Sequence, residues 1–583
     1  MKKVFLITTA LEEAWPDEDG QVLFLGEWCC LHSKKKKWLS LDYKILKYHW
    51  DDRTQLYRDY CYLLDIYEET LAEAKEALNE LHQVNYSIDY WRILIGPWLM
   101  AFIAIIFDRW TNLNSAISSY DINKTVILEQ HSEELVPNDM DEFSAFQEND
   151  EWNHYIYSNL LEKCSEFNTL EIDKREVSLN IKLSTNLNKQ KLWKTILSKL
   201  LSFFRNDKDH FLFGSRLSVK DYLSVSLMLR QFPVFYFSKS LRRYKLNDNK
   251  RVWKINRTDT DNNFIKILKE LIPLQMPKSY LEGYTNLKEI PNKLGWPREP
   301  KSIFTSTAFH SDDVFKQWTG EKFELGIPFY IGQHGGNDGQ ASFSFTEYHE
   351  LKVSSSFLSW GWTRNGENIN SLGCNKKKII KNNLEKAQEL LLIISSYPRY
   401  SGSLLSMPIS SQVLDYLKEQ FFFYSKLAKG IQSDTTIRLY PYDYGWSVEE
   451  RWLEAFSDIN IDRGERSFSS ALNSAKLIVS GWNTTTYLES LYMNKPTVIF
   501  WDSDYFELND EAKVYFQELE NVGIFHKDAT SAAKHIDEIW NNVEDWWEKP
   551  EVCLAKQKFV DTYIHENNNF KADLKNILNS ASR

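Results

Sequence analysis

Three consecutive threonines, Thr484, Thr485 and Thr486, stand where a buried strand gives way to a helix. The apolar run at residues 476–480 predicts the strand, and the periodicity that follows the threonines predicts the helix. A helix N-terminus presents free backbone N–H groups and the positive end of the helix dipole, and threonine hydroxyls add further donors. The spacing therefore predicts a site for a phosphate or diphosphate group. Ordinary capping of the helix by Asn483 or Thr484 is the alternative.

A histidine in a glycine-rich loop follows another predicted strand, at residues 329–332. His334 is followed by Gly335 and Gly336, and glycines let a ligand approach the backbone closely. Because the loop leaves the carboxyl end of the strand, we expect the imidazole at the edge of a sheet, facing a cleft. The pKa of a histidine suits general acid or base catalysis near neutral pH. A structural turn with a hydrogen-bonded histidine is the alternative.

Two glutamates just downstream, Glu347 and Glu350, could provide a catalytic carboxylate or merely form a solvated helix face. No His-x-x-x-His pair accompanies them, and the six cysteines lack the spacing of metal ligands. The sequence therefore predicts no metal and no cofactor. Hydrogen bonds and cations would then have to stabilise the charge of a departing phosphate.

The segment that begins at Arg438 and ends at Trp446 joins a predicted strand to a turn at the edge of a sheet. Arg438 could neutralise a phosphate through two parallel hydrogen bonds. Tyr440, Tyr442 or Trp446 could stack on a base or a sugar. An arginine paired with a structural carboxylate among packed aromatic side chains fits the pattern equally well.

Candidates for the acceptor side of the cleft lie around a third predicted strand, at residues 303–308. Arg298 precedes this strand and could line the acceptor side or pair with Glu299. His310 and Asp312 follow the strand at the position of a helix N-cap. Their place at the carboxyl end of a strand also makes them candidates for the cleft.

The composition is that of a folded, acidic protein with two or more domains. The chain has 583 residues and a formal net charge of −11, which argues against nucleic acid as a partner. The scattered cysteines indicate a reducing compartment, so we expect a cytoplasmic protein. The longest apolar stretch, residues 93–107, is too short to span a bilayer and predicts a core helix. A peripheral contact with the inner face of the membrane is the minority interpretation.

Strands alternate with helices over most of the chain, which predicts an α/β fold of parallel, doubly wound sheets. A break at residues 365–378 separates an N-terminal domain, residues 1–365, from a C-terminal domain, residues 379–550. A helical insertion interrupts the first domain at about 55–280, and a C-terminal helix occupies 551–583. We expect the two Rossmann-like domains to face each other across a cleft at the carboxyl ends of their strands.

Two motifs resemble a family of transferases from bacterial surface-polysaccharide gene clusters. They are Ile-Gly-Gln-His-Gly-Gly at 331–336 and Val-Ser-Gly-Trp-Asn-Thr-Thr-Thr at 479–486. More distantly, the arrangement is similar to capsular Kdo transferases and CDP-glycerol glycerophosphotransferases. The resemblance covers about residues 280–505 and, weakly, residues 2–30.

The resemblance implies a GT-B fold and roles for three residues. His334 would act in catalysis or contact phosphate, and Thr484 and Thr485 would hold the donor phosphates. This chain has Trp-Asn-Thr-Thr where the distant relatives have Tyr-Ser-Ser, and Gly-Gly where they have Gly-Thr. The identity of the donor therefore does not carry over.

Taken together, the residues and the resemblance predict a metal-independent GT-B glycosyltransferase. It would move a sugar, with Kdo-type and nonulosonate-type acids as candidates, from a nucleotide-activated donor to a glycan or lipid-linked glycan acceptor. The alternatives are a CDP-polyol phosphotransferase and a non-catalytic subunit that binds glycan or nucleotide-sugar. The predicted catalytic residues are His334 and Glu347. The predicted donor site comprises Arg438, Tyr440, Trp446, Ser480, Asn483, Thr484, Thr485, Thr486 and Glu489, and the predicted acceptor side comprises Gly335, Gly336, His310, Asp312 and Arg298.

Overall fold

Three sheets of parallel strands organise the protein, as the computed structural model shows. The structure describes residues 4–17, 20–129, 132–168, 170–176, 205–255, 262–374, 387–502 and 504–580. The first sheet has the order β3-β2-β1-β4-β5, with β1 (Val4–Ile7), β2 (Gln21–Phe24), β3 (Asp42–Ile45), β4 (Ile122–Glu129) and β5 (Glu171–Glu176). The second has the order β10-β9-β8-β7-β6, with β6 (Phe211–Leu212), β7 (Ile303–Thr305), β8 (Phe329–Gly332), β9 (Ser356–Ser359) and β10 (Ile369–Ser371).

The third sheet is the largest and occupies the C-terminal part of the chain. Its order is β13-β12-β11-β14-β15-β16, with β11 (Glu389–Ile393), β12 (Thr435–Arg438), β13 (Asn460–Asp462), β14 (Ala475–Ser480), β15 (Thr497–Phe500) and β16 (Phe525–His526). The central strands are almost continuously apolar because both faces of a parallel sheet are covered by helices.

The helices that precede the third sheet are α1 (Lys35–Trp38), α2 (Arg53–His82), α3 (Ile88–Ser119), α4 (Met140–Phe146), α5 (Asp150–Lys163), α6 (Val219–Met228), α7 (Asn263–Gln275), α8 (Tyr284–Leu294), α9 (Ala308–Ser311), α10 (Asp313–Glu324) and α11 (Phe345–Val353). Those of the C-terminal part are α12 (Gln412–Lys426), α13 (Lys429–Ser433), α14 (Val448–Ala455), α15 (Phe468–Ser474), α16 (Thr485–Tyr492), α17 (Asp510–Asn521), α18 (Ala529–Ile539), α19 (Val543–Trp547), α20 (Pro550–Tyr563) and α21 (Phe570–Ser580).

The predicted α/β fold of doubly wound parallel sheets is confirmed, and the second and third sheets come together where Gly336 contacts Thr485. The predicted helical insertion at 55–280 is only partly helical, because β4 and β5 complete the first sheet and β6 extends the second. The N-terminal half therefore carries two sheets where the sequence predicted one. Strand β5 escaped prediction because its residues, Glu-Ile-Asp-Lys-Arg-Glu, lie at an edge and are mostly polar.

A long helix, α3, forms the centre of the molecule. It is long and apolar enough to cross a membrane, but 94% of its most apolar window is buried inside the protein. It packs against α2 and α10, and Gly96 in its first half lets His349 of α11 approach closely. The prediction of a core helix at residues 93–107 agrees with this burial.

The chain passes between the second and third sheets twice. The first crossing follows β10, and its residues 375–386, which include part of the predicted break at 365–378, lie outside the described residues. The second crossing follows α20, where His565 accepts the backbone N–H of Cys374 at 2.7 Å. Helix α21 then packs on the second sheet, where Leu574 and Leu578 contact the core that contains Phe304. The predicted C-terminal helix is thus two helices, of which the last belongs to the second sheet.

Buried ion pairs join the third sheet to the N-terminal half. Arg399, in the segment that follows β11, donates to the carboxylate of Asp150 at 2.7 Å and to the carbonyl of Trp28 at 2.6 Å. The side chain of Arg399 is 8% exposed and that of Asp150 is 16% exposed. Because a buried guanidinium needs its counter-charge, this pair fixes how the first and third sheets are placed.

We expect Asp150→Ala to destabilise the protein by about 3–5 kcal/mol, because it leaves the guanidinium of Arg399 buried without its partner. The measurement is the urea dependence of unfolding, followed by tryptophan fluorescence. Asp510→Ala is the matched control, because Asp510 pairs with Lys513 on the surface and is 96% exposed; it should leave the urea midpoint almost unchanged. Equal effects of the two substitutions would contradict the bracing role of the buried pair.

Candidate functional site

The loop after β8 meets the N-terminus of α16 across the cleft. The backbone N–H of Gly336 donates to Oγ1 of Thr485 at 2.7 Å. Nearby, Ala341 pairs with Leu508 in an isolated antiparallel bridge, and Nδ2 of Asn509 donates to the carbonyl of Gly339 at 2.8 Å. The histidine loop and the threonine cluster, which are about 150 residues apart in the sequence, therefore form one site.

Glycines are required in this loop because the other domain comes so close. A Cβ atom on Gly335 would lie 2.4 Å from Oγ1 of Thr485, well inside contact distance. Gly336 has a φ of +77°, a conformation that other residues adopt only with strain. The close backbone approach that the sequence predicted for a ligand is used here by the facing helix.

Helix α16 begins without a side-chain cap among the described residues. Thr484 occupies the N-cap position, but its hydroxyl accepts no hydrogen bond from the first turn. The Oδ1 atom of Asn483 accepts the hydroxyl of Tyr487 at 2.9 Å instead. The alternative interpretation, capping by Asn483 or Thr484, is therefore not what the structure shows. Thr486 and Glu489 lie half-buried on the following turn, and Ser480 is buried at the end of β14.

His334 lies at the mouth of the cleft, with 35% of its side chain exposed. Its Nδ1 atom is 3.8 Å from Oε1 of Glu350, a fully buried carboxyl group on α11. Burial, with the positive charge of Arg216, lowers the pKa of His334 below its ordinary value. The imidazole is therefore neutral at pH 7 and able to accept a proton.

Three carboxyl groups cluster beneath the histidine loop. Glu347 accepts the N–H of Gly339 and a hydrogen bond from Arg364, each at 2.8 Å, so its charge holds the loop in place. Burial and the charge of Glu347 raise the pKa of Asp338 well above its usual range, and burial with both neighbours does the same to Glu350. Burial and mutual repulsion therefore both favour the uncharged form of Asp338 and Glu350.

Buried amide groups at the same junction have unused hydrogen-bonding atoms. The side-chain nitrogens of Asn337, Gln340 and Asn483 are buried, and each has no hydrogen-bond partner among the residues that the structure describes. Buried polar groups are normally paired, so such a group of donors marks a place where a polar ligand or water binds. The site can therefore offer several neutral donors to an anionic group.

Comparison with known proteins gives the class to which the protein belongs. A family model for transferases, LIC12162, matches residues 4–578, which is nearly the whole chain. The chain belongs to the LIC12162 family of transferases. The prediction that the chain is an enzyme of the transferase class, made from the histidine and threonine motifs, is confirmed. No curated protein matches the chain.

Solved structures with distant similarity to this transferase include three proteins. The wall teichoic acid polymerase TagF is 9% identical, with a TM-score of 0.31, and the match covers 68% of this chain and 95% of that one. MurG from Acinetobacter baumannii is 11% identical, with a TM-score of 0.29 and coverage of 66% and 96%. MnaA from S. aureus, solved with UDP, is 8% identical, with a TM-score of 0.32 and coverage of 79% and 96%. Because these TM-scores are low, we infer the fold from the three sheets themselves. We infer the transferase class from the family match.

Not every predicted donor residue of the transferase reaches the threonines. Arg438 donates to Asp462 at 2.6 Å and to the carbonyl of Arg466, which is the structural ion pair that the sequence left open. Trp446 is 2% exposed and donates to the carbonyl of Tyr397, so its ring cannot stack on a ligand. Tyr440 is 42% exposed at the carboxyl edge of the third sheet and remains able to stack.

Some of the acceptor-side candidates also lie at the site and others do not. His310 lies at the cleft, next to Phe309, whose ring is 6.3 Å from that of His334. Asp312 caps α10 through the N–H of Phe315 at 2.9 Å and accepts the hydroxyl of Ser238. The structure does not bring Arg298 to the site, because it precedes β7 and therefore lies at the opposite, amino-terminal edge of the sheet.

Among the residues that the structure describes, no group of three or more His, Cys, Asp or Glu side chains could hold a metal ion. An Asp-x-Asp pair, Asp502 and Asp504, follows Trp501 just beyond the end of β15. Oδ1 of Asp502 accepts the N–H of Asp504 at 2.9 Å.

Sequence reasoning missed the residues that support His334. Asp338 and Gln340 lie within a few positions of it, and Glu350 was predicted to be either a catalytic carboxylate or part of a solvated helix face. Nothing in the sequence indicates that Glu350 is buried, although its side chain is 0% exposed in the structure. A helix that packs against α3 on one side and the histidine loop on the other buries carboxyl groups that a single sequence displays as ordinary polar positions.

We expect Gly335→Ala to destabilise the protein by about 1–3 kcal/mol, because the new methyl group collides with Thr485. The double variant Gly335→Ala with Thr485→Ala should recover part of this loss, since the second change removes the colliding hydroxyl. Thermal unfolding of the single and double variants measures the coupling.

Gly430→Ala is the matched control, because Gly430 lies in α13 with nothing within 4 Å of the added atom. Its effect on the unfolding midpoint should be small or slightly stabilising. Strictly additive effects of the two site substitutions would show that the loop and the helix do not touch.

Proposed function

We propose that the protein is a GT-B glycosyltransferase that moves a sugar from a nucleotide-activated donor to a surface-glycan acceptor. The observation that carries the proposal is the contact between the loop of His334 and the N-terminus of α16 through Gly336 and Thr485. This contact brings the loop of His334 next to a helix N-terminus, which supports a role of the first as proton acceptor and of the second as anion-binding site. These are the two groups that displacement of a phosphate leaving group by a hydroxyl requires.

The donor phosphates would bind at the start of α16. The uncapped first turn supplies backbone N–H groups and the positive end of the helix dipole. The hydroxyls of Thr484 and Thr486 and the amide of Asn483 supply further donors. Because these groups are fixed before the reaction, they can stabilise the charge that develops on the departing phosphate without a divalent ion.

His334 would act as the general base. Its Nδ1 atom faces Glu350, which leaves Nε2 for the acceptor hydroxyl. As the acceptor oxygen attacks the anomeric carbon, the hydroxyl proton passes to the imidazole and the bond to the donor phosphate breaks. Burial and the positive charge of Arg216 keep the pKa of His334 below its ordinary value, so the neutral imidazole that accepts a proton is favoured.

The nucleoside would lie along the carboxyl edge of the third sheet, where Tyr440 is exposed. Its ring stacks with that of Tyr444 at 6.1 Å, and the exposed Tyr442 lies beside both. Exposed tyrosines offer flat faces to a base or a ribose. We place the reaction in the cytoplasm, because the six cysteines are scattered through the sequence in the way that a reducing compartment favours.

Nucleotide binding tests the donor site directly. We expect at least one of CMP, CDP, UDP, GDP and dTDP to raise the unfolding temperature, because ligands that bind only the folded state stabilise it. Thr484→Val should weaken the binding of that nucleotide about tenfold or more, since the substitution removes a charge-assisted hydrogen bond. Thr562→Val is the matched control, because the hydroxyl of Thr562 bonds only to the carbonyl of Lys558 within α20. No stabilisation by any of the five nucleotides would contradict the proposal.

The role of His334 is tested by its substitution and by pH. His334→Ala should lower the transfer rate by about 10² to 10⁴, the usual contribution of a general base, and leave the unfolding midpoint unchanged. Because only the neutral imidazole accepts a proton and its pKa is lowered, the wild-type rate should hold below pH 6.5 and fall only as the pH drops through the lowered pKa.

Single-turnover rates between pH 4.5 and 8, chosen to span the ordinary histidine range of about 6.5, measure this profile. His32→Ala is the control, since the ring of His32 pairs with Glu454 on α14. An acid limb centred above pH 7 would contradict the assignment. Mass spectrometry of the product separates sugar transfer from polyol-phosphate transfer, because only the latter leaves a phosphodiester.

A further inference from the structure

A cavity of about 230 Å³ opens beside the proposed site, where three parts of the chain meet. One wall is α3, at Pro97 and Met100; a second is the start of α11, at Phe345 and His349; a third is the segment after β11, at Tyr397. The cavity therefore depends on the central helix as well as on both facing sheets.

The lining combines aromatic faces with a few polar groups. Phe309, Phe345, Tyr397 and Tyr400 supply rings, while Thr346, Ser403, His310 and His349 supply polar atoms. No Asp, Glu, Lys or Arg side chain lines the cavity. Burial lowers the pKa of His349 well below its usual range, so this imidazole is uncharged.

His349 is the polar group that points to a ligand. It is 4% exposed, and neither of its ring nitrogens has a hydrogen-bond partner among the described residues. Gly96 of α3 makes room for the ring, since a Cβ atom there would lie 2.9 Å from Cε1 of His349. A buried imidazole with two unused nitrogens is costly unless a bound group completes its hydrogen bonds.

We propose that this cavity is a subsite for one neutral sugar ring, whose hydroxyl groups hydrogen-bond to His349 and whose apolar face packs on the aromatic side chains. The choice of a sugar rests on the proposed transfer function, whereas the neutrality of the ring follows from the lining alone. A neutral sugar differs from the Kdo-type and nonulosonate-type acids that the sequence analysis named as candidates.

Size, chemistry and position all fit this occupant. The volume is below the roughly 300–1,000 Å³ of pockets for drug-sized ligands, so it suits a single ring. A carboxylate would be buried here without a counter-charge, which is strongly unfavourable. Phe309 forms part of the wall and its ring lies 6.3 Å from that of His334, so a ring in the cavity is next to the proposed base.

The test is direct binding at pH 8 to the intact protein, measured by calorimetry and saturation-transfer NMR. The probes are methyl glucoside, methyl galactoside and methyl N-acetylglucosaminide, with N-acetylneuraminic acid as the charged comparison. We expect at least one neutral glycoside to bind at least tenfold more tightly than the acid. His349→Leu should weaken that glycoside at least tenfold and leave the unfolding temperature unchanged or higher, because it removes two unsatisfied nitrogens.

A second variant fills the cavity from Ser403, a half-buried residue of its lining. Ser403→Phe should abolish glycoside binding, whereas Ser425→Phe, which adds the same bulk on the exposed face of α12, should not. If the ring belongs to the acceptor, Ser403→Phe will leave nucleotide-sugar affinity unchanged. If it belongs to the donor, the variant will reduce the affinity for the nucleotide-sugar to that for the nucleotide alone.

Three results would overturn the proposal: no neutral glycoside binds the wild-type protein, the acid binds as well as the glycosides, or neither His349→Leu nor Ser403→Phe changes binding. None of these affects the nucleotide test with Thr484→Val. A failed sugar subsite and a failed donor site are therefore told apart.

Discussion

The hydrogen bond from the Gly336 backbone to the Thr485 hydroxyl is the contact on which the rest of the site depends. It joins a loop of one sheet to a helix of another, so neither domain alone contains the site. The glycine at 335 is what permits the approach, because any side chain there would hold the helix away. Around this contact, the buried amides of Asn337, Gln340 and Asn483 face inward with unused donors. A tight junction and a polar ligand site thus coincide.

The junction is held by a scaffold that extends through the whole protein. Helix α3 contributes Arg109, which is 1% exposed and donates to the carbonyl of Ser401 on the third-sheet side. Its carboxylate partner, Asp108, also accepts the hydroxyl of Tyr48 at 2.8 Å. Such buried charges tolerate little displacement, because each needs its partner in place. The first sheet and the long helices therefore set the width of the cleft without contacting the reacting groups.

Much of this could be predicted from local sequence signals. The strand, loop and helix around the threonines were predicted at 476–480 and 485–493, and the structure has β14 to Ser480 and α16 from Thr485. Apolar runs, glycines and hydroxyl clusters act within a few residues, so a single sequence displays them.

What could not be predicted depends on distant pairing. The partner of Arg438 is Asp462, 24 residues away on the neighbouring strand β13, so the arginine looked free for a phosphate. The edge strand β5 is too polar to be recognised, which helped to hide the fact that the first sheet is separate from the second. The burial of Glu350 arises from α3, more than 200 residues earlier in the chain. Each of these facts requires the three-dimensional neighbourhood.

Cys374, the last described residue before the chain passes from the second sheet to the third, contacts the segment by which the chain returns after α20, through a hydrogen bond to His565 and a strand-like bridge to Glu566. The point where the chain leaves the second sheet is thus fixed to the point where it comes back. An opening of the cleft that keeps these contacts would turn one sheet about this point, and closing would return the loop of His334 to α16.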